Sequence, residues 1–292
     1  MSEELGFGVI GLGMGMGRAK MYHSTEGAKV VAVCDLIESR RNKAVEEMGC
    51  DAYEDYKKLL DRDDIDVAVI MLPSGMHADF GIKAAEKGKH VITTKPMDVT
   101  VERCDALIDA CKKNDVKLMV DFGERYRDIN RKIKKAIDIG ALGKLILGEF
   151  RLKWYRSEGY YDGWHGTWKL DGGGSIMNQG VHQLDLLQWF LGPVESVRGH
   201  FGIYAHENVE TEDLTMAWLK FKNGAVGNVL TTTTFPKSSV TMVQIHGTKG
   251  VIGTGPEVWE FIEEAPEIEL PPYPKNIAEE LISDYKEKKR NN

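Results

Sequence analysis

Cysteine is scarce in this chain. Four residues, Cys34, Cys50, Cys104 and Cys111, are spread over 292 positions with no CxxC spacing. That argues against a disulfide framework or a zinc site and fits reduced thiols of a cytoplasmic protein. Long apolar runs are missing too. No stretch reaches the roughly 18 residues a membrane helix requires. The opening MSEELGFGVIG has no basic segment leading into an apolar one, so no secretory signal is read. There is no long basic run, and the net charge is −7, which argues against nucleic acid as a main partner. Neither an HExxH pattern nor a dense carboxylate cluster is present, so no metal is expected. What remains is an ordinary globular composition, 42% hydrophobic and 28% charged. The length supports a sizeable core and, at roughly one domain per 150 residues, about two domains.

Short apolar runs alternate with helical segments through the first 120 residues. FGVIGLG, AKVVAVCD, DDIDVAVIML, KHVITTK and KLMVDFG read as buried strands. RRNKAVEEMG and HADFGIKAAEKG read as helices, the second closed by Gly88. That alternation predicts a parallel sheet covered on both faces. The pattern then changes. DINRKIKKAIDIGALG is a helix with Ile129, Ile133 and Ile137 on one face. KLILGEFRLKWY opens a strand-rich half. Asn223-Gly224 sits between two strand-like runs as a hairpin turn, and a second hairpin turns between Gly247 and Gly250. The second half therefore reads as helices with an antiparallel sheet. The tail ISDYKEKKRNN reads as a solvated helix end.

GVIGLGMGMGRAKMYH follows the first strand and opens a helix, the setting of a dinucleotide fingerprint. Gly11 suits the tight turn. Gly13 suits a close approach to a pyrophosphate at the helix start. Met16 stands where the third glycine belongs, and Gly17 follows it. Asp35 ends the second strand, where a carboxylate can accept from the ribose hydroxyls of NAD and repel the 2′-phosphate of NADP. Arg40 and Arg41 nearby soften that preference, so NADP stays open. The same residues also fit a plain strand-to-helix turn.

Lys95 ends a predicted parallel strand, where ligands of such sheets bind, and Pro96 restricts its backbone. Asn178 and His182 are four apart, and a helix begun near Asn178 puts both on one face. Asp185 is placed to orient His182. The pair has two readings, a reaction centre or a helix cap beside a core histidine. The aromatics of YRSEGYYDGWHGTWKLD are sugar-stacking platforms or loop packing, and His165 among them reads as incidental.

Taken together, the glycine loop, Asp35, LPSGMHADFGIKAAEKGKHVITTKP, GALGK, GGGSIMNQGVHQLDLLQW, VETED, FKNGAVG and GTKG resemble the glucose–fructose oxidoreductase, inositol 2-dehydrogenase and MocA family along nearly the whole chain. The resemblance implies an α/β protein. An NAD(P)-binding Rossmann domain would span 1–121. A substrate-binding and oligomerisation domain with a large, mostly antiparallel open sheet would span 122–292. It implies a homodimer or homotetramer built on that sheet. It counts Gly11, Gly13, Met16, Gly17, Asp35, Leu72, Pro73, Ser74, His77, Thr94 and Lys95 as the cofactor side. It makes Lys95 and His182 catalytic with Asn178, and sets Arg125 beside them on the substrate side.

Three departures stand out. Thr94 replaces a glutamate of the family motif. Asn178 replaces the commoner aspartate and cannot take a proton, so that role falls to His182. The chain also ends where family members continue, so its carboxy-terminal domain is expected to be shortened. The implied activity is hydride transfer between nicotinamide and a hydroxyl carbon of a sugar or polyol. Two alternatives remain. One is a nucleotide-sugar dehydrogenase using Arg125, Arg127, Arg151 and Arg156 as a basic groove. The other is a non-catalytic sensor of the same ligands.

Overall fold

A computed structural model describes residues 4–236, 240–254 and 258–290. The buried runs of the first half form β1 (Leu5–Ile10), β2 (Ala28–Cys34), β4 (Val67–Ile70), β5 (His90–Thr94) and β6 (Leu118–Asp121). A further strand, β3 (Asp51–Tyr53), has only three half-exposed residues, too few for a period to show in the sequence. All pair in parallel in the order β3-β2-β1-β4-β5-β6. Every residue of β1 and β4 is buried, as strands covered on both faces must be. The strand order reverses between β1 and β4, which makes their carboxyl ends the place for a ligand. The connecting helices are α1 (Gly15–His23), α2 (Glu38–Met48), α3 (Tyr56–Leu60), α4 (His77–Glu86) and α5 (Val101–Lys113). Gly88 follows the end of α4 at φ +72°, a left-handed position that favours glycine.

The second half carries α6 (Asp128–Asp138), β7 (Leu145–Lys153), α7 (Val181–Leu191), β8 (Val194–Gly202), β9 (Leu214–Phe221), β10 (Val226–Thr232), β11 (Val240–Gly247), β12 (Gly250–Gly253) and β13 (Trp259–Phe261). Its seven strands lie in the order β13-β12-β11-β7-β10-β9-β8. Among the described residues only the β7–β10 pair is parallel, so the sheet is mixed and mostly antiparallel. Asn223-Gly224 turns β9 into β10, with Gly224 at φ +88°. Ile133 of α6 and Leu186, Leu187, Phe190 and Leu191 of α7 pack against Phe150, Leu152, Leu219, Phe221 and Val229 on one face of this sheet. Side chains alternate along a strand, so Met216 and Trp218 emerge on the opposite face, where they are exposed.

The chain divides into two compact units, Met1–Asp121 with Pro274–Asn292, and Phe122–Tyr273. The expected assignment of everything after residue 122 to one domain is therefore corrected at its end. The last helix, α8 (Ile277–Arg290), belongs to the first unit. The reason is an apolar stripe: Ile277, Ala278, Leu281 and Ile282 are buried, with Ile282 close to Gly27. Asn276 donates to Thr25, and Lys117 pairs with Asp284 at 2.8 Å. Among the described residues, no helix is long and apolar enough to cross a membrane.

Candidate functional site

The glycine loop between β1 and α1 is pinned from two sides. Gly11 has φ +95°, and a Cβ there would meet the Met71 carbonyl oxygen at 2.5 Å. Its N–H donates to the Cys34 carbonyl at 2.8 Å. Asp35, its side chain 8% exposed, accepts from Leu12 N–H at 2.7 Å and from Ile37 N–H at 2.9 Å. The carboxylate thus holds the loop. Arg40 reaches to 3.5 Å from it. A Cβ on Gly13 would meet nothing closer than Arg40 Nη1 at 3.8 Å, which leaves an open cradle above the amides that begin α1. Such a helix start suits a pyrophosphate, so the residues present fit a dinucleotide. The glycine that packs against the sheet lies one position before Met16. A Cβ on Gly17 would meet nothing within 4 Å, whereas one on Gly15 would meet the Met71 side chain at 2.9 Å. Gly15 is the residue that lets α1 approach the sheet closely, and Met16 beside it is half-buried.

Leu72, Pro73 and Ser74 lead from β4 toward α4, and Ser74 is buried. His77 is fully buried under this loop. Its Nδ1 lies 2.8 Å from the Pro96 carbonyl and its Nε2 2.8 Å from the Leu72 carbonyl. Burial pushes its pKa down, against two carbonyls that favour the protonated ring. His77 therefore ties the 72–77 loop to the turn after β5. Half-buried Thr94 and Lys95 lie at that turn, where the Lys95–Pro96 bond is cis.

In the second unit the expected helix start differs. Ser175–Gln179 forms a single π-helical turn, closed by Gly180 N–H on the Ser175 carbonyl at 2.9 Å, and α7 begins only at Val181. Asn178 is thus neither the cap of α7 nor on a shared α-helical face with His182. Its Nδ2 donates to Asp171 Oδ1 and approaches His165 Nδ1 at 3.0 Å. The His165 ring is packed, stacking on Tyr160 at 4.2 Å and lying against Trp164 at 3.8 Å. His182 is half-buried and meets the Phe122 ring edge-on at 6.3 Å. Asp185 accepts from Arg125 with both oxygens, at 2.7 and 2.6 Å.

The glycines before Asn178 answer to the protein's own backbone. A Cβ on Gly174 would sit 1.7 Å from the Glu212 carbonyl oxygen. Glu212, buried itself, accepts from Gly174 N–H at 2.7 Å and Ile176 N–H at 2.9 Å.

The arginines do not make one groove. Arg125 is held by Asp185, Arg127 by Glu124 at 3.1 Å and Arg151 by Glu149 at 2.9 Å. Along β7, Phe150 and Leu152 face the helices, so Arg151 projects from the other face of the sheet. Arg156 lies over Trp154 and Tyr160 and donates to Gln179 at 2.7 Å.

Comparison with known proteins joins these two halves to one lineage. Residues 5–122 match the oxidoreductase family with the NAD-binding Rossmann fold, and residues 130–253 match the GFO/IDH/MocA C-terminal domain. The chain belongs to the GFO/IDH/MocA oxidoreductases. Its first unit is an NAD-binding Rossmann domain. A curated relative in this family is scyllo-inositol 2-dehydrogenase (NAD(+)) of Bacillus subtilis (strain 168), 29% identical over 83% of this chain and 72% of that protein. Another is levoglucosan dehydrogenase of Pseudarthrobacter phenanthrenivorans, 28% identical over 68% of this chain and 57% of that protein. Among solved structures, the WlbA dehydrogenase from Bordetella pertussis, in complex with NADH and UDP-GlcNAcA, is 30% identical over 90% of this chain and 82% of its own, with a TM-score of 0.85.

Reading the sequence as a GFO/IDH/MocA protein missed Asp171, His165 and Glu212. Two signals were available. Asp171 directly precedes the glycine run, and Glu212 sits in the VETED segment just before β9. His165 had none, because its contact with Asn178 spans thirteen positions of irregular chain.

Proposed function

We propose that this GFO/IDH/MocA protein is an NAD-linked dehydrogenase of a sugar or polyol hydroxyl. One observation carries the reading most directly. A half-buried amide, Asn178, is oriented by a buried carboxylate and an imidazole immediately before the helix that bears His182. Burying polar groups is costly unless each is paired, and a helix start needs no such cluster. When bound, NAD supplies the hydride acceptor, and the glycine loop and Asp35 are the residues that would hold it. His182 takes the hydroxyl proton. Lys95, the part of the family's lysine-proline motif kept here, stabilises the developing negative charge on oxygen. Asn178 orients the hydroxyl and does not ionise.

Asp35 favours NAD over NADP, since its buried carboxylate would face a 2′-phosphate. Inositol and levoglucosan dehydrogenases among the relatives support a free polyol or sugar substrate. The WlbA likeness supports a nucleotide sugar instead, but three of the four arginines meant for its diphosphate are paired with acids and Arg156 is bonded to Gln179. Four free thiols, three of them buried, support a reducing compartment such as the cytoplasm. The exposed Met216 and Trp218 support self-association through the open sheet face.

The test is nicotinamide absorbance across sugars, polyols and nucleotide sugars, with NAD and NADP, in both directions. NAD-linked turnover of a free sugar or polyol is expected. Turnover of nucleotide sugars alone would move the substrate class. Tight cofactor binding with no turnover on any compound would replace the enzyme with a sensor.

A further inference from the structure

The carboxylate beside Asn178 has a consequence for what position 178 can be. Asp171 is 1% exposed and one of its oxygens accepts from Gly166 N–H at 2.9 Å. The other accepts from Asn178 Nδ2. An ionised carboxylate only accepts, so the amide must turn its nitrogen to Asp171. That same nitrogen lies 3.0 Å from His165 Nδ1. Its second hydrogen therefore meets the ring's lone pair, which puts the His165 proton on Nε2. With both hydrogens committed, Asn178 can engage any further partner only through its Oδ1, as an acceptor.

We propose that Asp171 is a positioning residue that fixes Asn178 as an acceptor and makes this site require an amide at 178, where aspartate would place two carboxylates in contact. The proposal rests on the substrate-side role given to Asn178 above. Two carboxylates at hydrogen-bond range cannot both ionise without a large rise in one pKa. Four further groups stand beside the pair or its glycine run. His165 presents a lone pair, with its Nδ1 3.6 Å from Asp171. The Tyr160 hydroxyl lies 3.3 Å from that same nitrogen. Glu212 adds a third negative charge in the same glycine loop. Arg156 sits over the Tyr160 ring and is bonded to Gln179.

The experiment compares the parent with N178D, D171N and N178D/D171N in the intact chain. Thermal midpoints are read against pH first, with no substrate. The carboxyl introduced at position 178 would have a raised folded pKa, so its cost is absent below about pH 4 and grows as pH rises through the folded value. N178D should match the parent at acid pH and fall below it at neutral pH. N178D/D171N should close that gap. Its new amide at position 171 can accept from Gly166 and donate to the new carboxylate at position 178, while His165 shifts its proton to Nδ1. An N178D midpoint that tracks the parent at every pH, or a double variant no better than N178D, would overturn the proposal. Turnover is the second reading. N178D should lose at least about 10-fold in kcat at pH 8, recover toward acid, and be rescued by the double variant. Parent-like kcat for N178D across the range would also overturn it. If the midpoints behave as expected and the parent oxidises no sugar or polyol, the carboxylate–amide pairing stands and the dehydrogenase reading fails.

Discussion

Asp35 and Asp213 show how one residue type does two kinds of work. Asp35 was legible in the sequence because strand ends and their spacing from a glycine loop follow from local pattern. Asp213 was not, because its partners come from a loop that folds back onto it. It accepts from the N–H groups of Tyr204, Ala205 and His206 at 2.9, 2.9 and 3.0 Å, and from the His206 ring at 3.1 Å. Burial opposes its ionisation. The three amides and the imidazole outweigh that and hold its pKa below the usual carboxylate range. The sign follows: the stabilisation is complete above the unfolded value of about 4 and is lost as pH falls through the lower folded value. Asp213→Asn should therefore cost about 1–3 kcal/mol at neutral pH. Its deficit against the parent should shrink on acidification below about pH 4, as followed by denaturant unfolding at several pH values. A deficit independent of pH would mean that the carboxylate's charge is not what matters.

Elements were easier to read than the joints between them. Five parallel strands, α2, α4, α6 and both hairpins follow from hydrophobic period and turn chemistry. The π-helical turn at Ser175–Gln179 does not, because what selects it is tertiary. Gly174 must pass under the Glu212 carbonyl, and Glu212 then gathers the Gly174 and Ile176 amides. Gly174 thus makes room for the chain's own backbone. A methyl group there would strike a backbone oxygen that cannot swing aside. Gly174→Ala should destabilise the chain by about 1–3 kcal/mol or more. It should also lower turnover, since Asn178 hangs from the same turn. Unchanged stability would show that the loop can rise without cost.

At the scale of the whole molecule, the division into a Rossmann unit and a sheet unit was visible as a change of pattern near residue 120. The return of α8 to the first unit was hidden. Its charged residues suggested a solvated tail, and only the spacing of Ile277, Leu281 and Ile282 betrays a buried face. Leu281→Ala should cost about 2–5 kcal/mol. The loss belongs to the NAD-binding unit, so added NAD should restore part of the lowered midpoint by mass action. A variant as stable as the parent would remove α8 from the core of that unit.

The whole account turns on His182 as the group that takes the substrate proton. The most direct measurement is turnover of His182→Ala on the best substrate of the parent, with NAD affinity measured separately by titration. The expected result is a fall of about 10²–10⁴-fold in kcat with NAD affinity unchanged. Turnover close to that of the parent would contradict the assignment.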